Sequence, residues 1–342
     1  MYDRFINLSA KPSALQITDS PQTKDNIYSL SWLRGLASLL VCFYHLKLFV
    51  WKEELPNKLI QFFSIGNYGV IMFFIISGFV IPYSMYVKKY SLSKFGKFLV
   101  KRTIRIEPPY ILFIVIAYVW DCYAQTQVWG HIENPDFPIK KFLLNITYLA
   151  PFFKVEWINI IFWTLAIEFQ FYILTGLIFD LLMKKPMYKF SLFILILASG
   201  YIIPEQYQTV LHYYIYFIIG FQSFLYFTKN INIREFLITI FISLLYVFFF
   251  KDKIAAFFAF FTVAGIFLLN YNLKWPQFFG NISYSLYLTH GLIGGTLLMF
   301  TDHGLPKAFL FTVALFNSII IAWLYYNVIE KPFLNFSKKI RY

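Results

Sequence analysis

The chain has 342 residues, of which 59% are hydrophobic and 14% charged, and its 30 Lys and Arg against 17 Asp and Glu give a net charge of +13. A soluble domain carries roughly 25% charged residues, so the polar surface that would enclose a soluble core is missing and the apolar content must face lipid. The basic excess sits in short segments between apolar runs and accompanies no nucleic-acid-binding motif, which assigns it to membrane topology and excludes nucleic acid as the expected partner.

The first 25 residues are mixed and polar, without a basic cap followed by a long apolar core, so no cleavable signal peptide is expected. Apolar runs then predict about ten spans, within nine to eleven. They lie near 31–50, 66–87, 106–124, 160–182, 190–204, 211–227, 235–250, 254–270, 282–300 and 308–328. Several fall short of the roughly 20 residues of a perpendicular helix, and 235–250 with 254–270 is the pair most open to tilting or merging. Segment 142–153 is too short to cross and reads as an interfacial or re-entrant piece.

The expected fold is therefore all-α, a polytopic transmembrane helical bundle with a cytoplasmic N-terminus. Its parts are a cytoplasmic segment 1–29, one transmembrane domain 30–333 and a basic cytoplasmic tail 334–342. In this orientation most Lys and Arg, including Lys88, Lys89, Lys94, Lys97, Lys101, Arg102 and Arg105, lie inside, as the positive-inside rule requires. Cys42 and Cys122 have neither metal-ligand spacing nor a disulfide framework, and no metal is expected.

An ionisable group in hydrocarbon is costly and usually faces a protein interior. Within the spans these are Arg34, His45, Glu168 and His290. His45 follows Ser31 by a rise of about 21 Å, and Glu168 lies about 12 Å into a descending helix from Ile160. In a layer of about 30 Å these heights match, so a shared cavity is expected, with imidazole as base and carboxylate as its orienting partner. The alternative is a histidine satisfied by a backbone carbonyl and a glutamate satisfied by an amide.

Arg102 and Arg105 stand on one helix face before an expected break at Pro108–Pro109. Their guanidiniums suit donor phosphates, although spacing alone favours headgroup anchoring. Tyr284, Tyr287 and His290 recur at intervals of three, as a stripe of either substrate contacts or interhelical hydrogen-bonding groups.

LSWLRGLASLLVCFYH (30–45) resembles the opening helix of the membrane-bound acyltransferase-3 family, of the O-antigen and exopolysaccharide O-acetyltransferase type, with its Arg-Gly followed about ten residues later by His. GVIMFFIISGFVI (69–81) is similar to the second-helix signature, with Ser77, Gly78 and Phe79 as its triplet. KFLVKRTIRIEPPY (97–110), WTLAIEFQFYIL (163–174), NISYSLYLTH (281–290) and IEKPF (329–333) resemble the later blocks in the usual order. Ser31 and Trp32 stand where Asn or Asp-Gly often precedes the arginine, and Phe169 stands where a second acidic residue often follows the glutamate, leaving Glu168 the one carboxylate expected there.

The resemblance implies transfer of an acyl group, most commonly acetyl, from a cytoplasmic acyl-coenzyme A to a hydroxyl of an envelope polysaccharide or lipid-linked glycan in a bacterial cytoplasmic membrane. No permanently bound cofactor is implied. His45 would be general base or acyl carrier, with Glu168 beside it, and Arg34, Arg102 and Arg105 would bind the donor. Ser77, Tyr284, Tyr287 and His290 would be substrate contacts or structural groups. The competing expectation is a non-catalytic exporter of a glycan or lipid.

Overall fold

A computed structural model describes residues 27–51, 58–127, 139–184, 207–269, 271–301 and 304–340. Among them the ordered elements are helical, without a strand. In chain order the α-helices are α1 (Tyr28–Trp51), α2 (Lys58–Ser64), α3 (Gly69–Val87), α4 (Phe95–Gln127), α5 (Ile139–Ile146) and α6 (Phe162–Lys184). They continue as α7 (Val210–Phe227), α8 (Ile233–Phe250), α9 (Lys253–Leu268), α10 (Lys274–Thr301), α11 (Lys307–Tyr325) and α12 (Lys331–Lys339).

Among the described residues, seven helical stretches are long and apolar enough to cross a membrane, against the ten expected from the sequence. Helix α9 has 16 residues and is too short to count among them. Helix α10 is long enough, but Asn281, Ser283, Ser285, Thr289 and His290 dilute its apolar run. The expected span 190–204 lies outside the described residues. Segment 142–153 forms the end of α5 and a single 3-10 turn, Ala150–Phe153, too short to cross.

Two glycine-mediated crossings organise the bundle. A Cβ on Gly35 would lie 2.8 Å from the Phe279 Cβ, and one on Gly280 2.5 Å from the Ser31 carbonyl oxygen, so α1 and α10 touch through both glycines. Gly78 and Gly220 act reciprocally between α3 and α7, where added Cβ atoms would overlap the Phe217 and Ile75 carbonyl oxygens. Without a strong hydrophobic drive between helices in lipid, such close backbone approach is what gives packing its depth. The α1–α10 crossing also sets His45 opposite His290, and the α3–α7 crossing fixes the helix that carries Ser77.

The expected break at Pro108–Pro109 does not occur: α4 runs unbroken through both prolines. Proline removes a helical N–H, but neighbouring helices in a membrane protein can brace the segment. Here the Tyr284 hydroxyl donates to the Ile106 carbonyl at 2.9 Å and the Tyr325 hydroxyl donates to that of Pro109. Both prolines therefore sit inside a helix clamped from α10 and α11.

One face of the bundle gathers the basic segments. The Leu92 amide donates to Asp180 at 3.2 Å, Lys101 Nζ to the Ile340 carbonyl at 2.8 Å, and Trp32 Nε1 to the Tyr271 carbonyl at 3.1 Å. The first two bonds put the start of α4, the end of α6 and the C-terminal helix at the same end, and the third brings the segment before α10 to the start of α1. Helix α12 exposes Phe333 and Phe336 and ends in Lys338 and Lys339, the pattern of a helix lying at a membrane surface.

Candidate functional site

A cavity of about 100 Å³ opens among α1, α3, α4, α6, α10 and the segment after α11. That is room for several waters. Arg34, Arg102 and Arg105, which the sequence scattered over two helices, all line it. Ser77, Glu168, Tyr284 and Tyr287 line it as well, so seven of the nine candidate residues converge there.

Glu168 Oε1 accepts hydrogen bonds from Ser77 Oγ at 2.8 Å and from the Tyr172 hydroxyl one turn further along α6. Gly78, the neighbour of Ser77, is the residue through which α3 approaches the α7 backbone at Phe217. Arg102 Nη2 donates to Ser84 Oγ at 2.7 Å, and its guanidinium lies 5.6 Å from the ring centres of both Phe98 and Tyr172. Cation–π contact of this kind holds the guanidinium between two rings.

The cavity holds a second carboxylate that the sequence reading missed as a site residue. Glu330 is buried, accepts from Ser285 Oγ at 2.6 Å and lines the same chamber as Arg34. It ends a π-helical turn, Tyr326–Glu330, between α11 and α12. Such turns reorient side chains and recur at functional sites. An available signal was an acidic residue directly after a long apolar run, ahead of Lys331–Pro332.

Three guanidiniums against two carboxylates leave the chamber one positive charge in excess. Lys88, in the turn just beyond α3, extends that field. Burial, and then the neighbouring Lys101, Arg102 and Arg105, push its ammonium down to about 8. Crowded cations of this kind favour an incoming anion, whose charge relieves their mutual repulsion.

His45 and His290 are brought together, but outside this lining. His290 Nε2 and His45 Nδ1 are 2.9 Å apart, and the ring centres 5.0 Å. His45 Nδ1 also lies 3.1 Å from the Val41 carbonyl, and His290 Nδ1 2.8 Å from that of Leu286. His290 is fully buried and His45 half-buried.

The shared cavity expected for His45 and Glu168 is thus corrected. Glu168 belongs to the arginine chamber, and the wall between them contains Tyr287. The Tyr287 hydroxyl is hydrogen-bonded with Thr164 and donates to the Ile161 carbonyl at 3.2 Å. Its ring packs edge-on against Phe73, with centres 5.8 Å apart, and its centre lies 6.1 Å from that of His290. Axial rise gives matching heights on two helices, but not which side chain fills the space between them.

Arg34 and His45, eleven residues apart, share one face of α1 within about 20° and stand about 16 Å apart along it. The arrangement is therefore a cationic chamber at one end, a tyrosine wall, and a histidine pair beyond it. Among the described residues no group of three His, Cys, Asp or Glu side chains is placed to hold a metal ion. A family model described as an acyltransferase domain matches residues 27–327. No curated protein and no solved structure matches the chain.

Proposed function

Because the chain belongs to the acyltransferase-3 family, whose general chemistry is acyl transfer, we propose that it moves acetyl from acetyl-coenzyme A to a hydroxyl of an envelope polysaccharide or lipid-linked glycan. The supporting observation is the order of groups along the bundle. A chamber of three guanidiniums at the basic end is separated by the Tyr287 wall from a histidine pair.

The donor's phosphates bind at the basic end, against Arg34, Arg102 and Arg105, with Lys88 adding to the field. The positive-inside rule makes that end cytoplasmic, where coenzyme A thioesters are found. The pantetheine arm is long and thin and reaches past Tyr287 toward His45. His45 then takes the proton of the acceptor hydroxyl, the hydroxyl oxygen attacks the thioester carbonyl carbon, and the C–S bond breaks as the proton passes to the leaving thiolate. An acyl group carried on His45 is the covalent form of the same route. Glu168, held by Ser77 and Tyr172, offsets part of the buried positive charge of the arginines while no donor is bound.

Purified protein in liposomes, given acetyl-labelled coenzyme A on the basic-end side and candidate glycans on the other, tests this reading. Label covalently attached to glycan supports it. Transfer to no hydroxyl acceptor, with unmodified glycan crossing the membrane, overturns it in favour of export.

A further inference from the structure

We propose that His290 fixes the tautomer of His45, holding its proton on Nδ1 and leaving Nε2 as the bare nitrogen that receives the acceptor's proton; this deepens the reading of His45 as the base and rests on it. Hydrogen positions are set by the contacts around them. The contacts here form a chain of ring nitrogens between two carbonyl oxygens, Val41 O, His45 Nδ1, His290 Nε2, His290 Nδ1 and Leu286 O.

A carbonyl can only accept. Leu286 O at 2.8 Å therefore requires an N–H at His290 Nδ1, and a neutral His290 must carry its lone pair on Nε2. That lone pair faces His45 Nδ1 at 2.9 Å and requires an N–H there. Val41 O at 3.1 Å makes the same demand on His45 Nδ1. The reverse assignment, with His290 Nε2 donating, sets a bare ring nitrogen against each carbonyl and leaves two repulsive contacts.

One neutral assignment therefore serves these contacts, with the His45 Nδ1–H shared between Val41 O and His290 Nε2, and it leaves His45 Nε2 unprotonated. Among the described residues no hydrogen bond engages that atom. Of the two contacts to His45 Nδ1, the one to Val41 O at 3.1 Å is the longer and the one to His290 Nε2 at 2.9 Å the shorter. His290 supplies an acceptor with no competing donor.

His290 is fully buried, so it acts through His45 and is a positioning residue. As the acceptor hydroxyl gives its proton to Nε2, the Nδ1–H bond to His290 becomes charge-assisted and stronger. When the proton leaves for the thiolate sulfur the bond relaxes, and His290 has neither gained nor lost a proton. A neutral partner, unlike a carboxylate, does not trap the imidazolium.

The test combines nitrogen-15 NMR of histidine-labelled protein in detergent with steady-state kinetics. The His45 signals are assigned by their loss in His45→Gln. In the unaltered protein His45 should show a protonated Nδ1 and a bare Nε2. His290→Leu should move much of the population to the opposite tautomer and lower kcat roughly 10- to 100-fold, less than the roughly 100- to 10,000-fold that a positioned base contributes in full. The KM for donor should move less than about twofold, since the arginine chamber is untouched.

His290→Gln, whose amide oxygen can stand where Nε2 stood, should recover the Nδ1–H signature and most of the lost turnover. An unaltered tautomer and kcat in His290→Leu overturn the proposal. Wild-type transfer by His45→Gln instead overturns the base reading, and it does so whatever the tautomer signals show.

Discussion

Replacing Gly78 by alanine tests whether the α3–α7 crossing sets the site. The new Cβ would lie 2.8 Å from the Phe217 Cα and carbonyl carbon, and closer still to the carbonyl oxygen. These are backbone atoms of a packed helix and cannot rotate aside. Overpacking of this kind costs about 1–3 kcal/mol, partly offset by the roughly 0.5–1 kcal/mol that alanine gains over glycine inside a helix. Contact with backbone puts the variant near the upper end, for a net loss of about 2 kcal/mol. The displacement also falls on Ser77, which must stay 2.8 Å from Glu168.

Gly96→Ala is the matched control. Gly96 lies in α4 with nothing within 4 Å of its added Cβ, so it should be neutral or slightly stabilising. Thermal unfolding of the two detergent-purified variants, followed by size exclusion, together with donor turnover, reads both effects. Gly78→Ala with the midpoint and turnover of the unaltered protein would refute the close-packed crossing.

Three further outcomes follow from the chamber. Glu168→Gln keeps an acceptor for Ser77 and Tyr172 but removes the charge. Turnover should fall at least about tenfold with an unchanged elution profile, and near-normal turnover would remove Glu168 from the site. Lys88 is protonated below about 8 and neutral above it, so affinity for an anionic donor should be greatest below that pH and weaken as pH rises through it. Lys88→Met should erase that inflection in donor KM, and an inflection that persists would show that Lys88 is not its origin. Glu330→Gln replaces a charged acceptor of the Ser285 bond by a neutral one, costing about 1 kcal/mol, and raises the chamber's positive excess. Donor KM should fall while the unfolding midpoint drops, and a rise in KM would contradict the charge argument.

Much of this architecture was legible in the sequence because lipid leaves few solutions: long apolar runs must be helices, and polar residues within them must face inward. Arg34 and Glu168 stood out for that reason, Arg102 and Arg105 as a basic pair on one helix face, and the four share one chamber. Ser77 was legible through the triplet it forms with Gly78 and Phe79. Glu330 stood within IEKPF directly after a long apolar run, but its inward turn was not legible, because it depends on a π-helical step that no periodicity announces. Nor was the Tyr287 wall, since a tyrosine at helical spacing reads equally as lipid anchor, core or barrier. The Pro108–Pro109 pair misled because local propensity signals a helix end, while the Tyr284 and Tyr325 hydroxyls reach it from helices far away in sequence. The His45–His290 contact joins residues 245 apart and rests on the glycine crossing of α1 and α10.

The most direct test of the central claim is transfer of labelled acetyl from acetyl-coenzyme A to glycan in liposomes, comparing the unaltered protein with His45→Gln. Glutamine fills much of the imidazole's space and can donate and accept hydrogen bonds, but it takes up no proton near neutral pH. Labelled glycan from the unaltered protein and none from His45→Gln, at equal insertion, is the predicted result. Equal labelling by both proteins would contradict it.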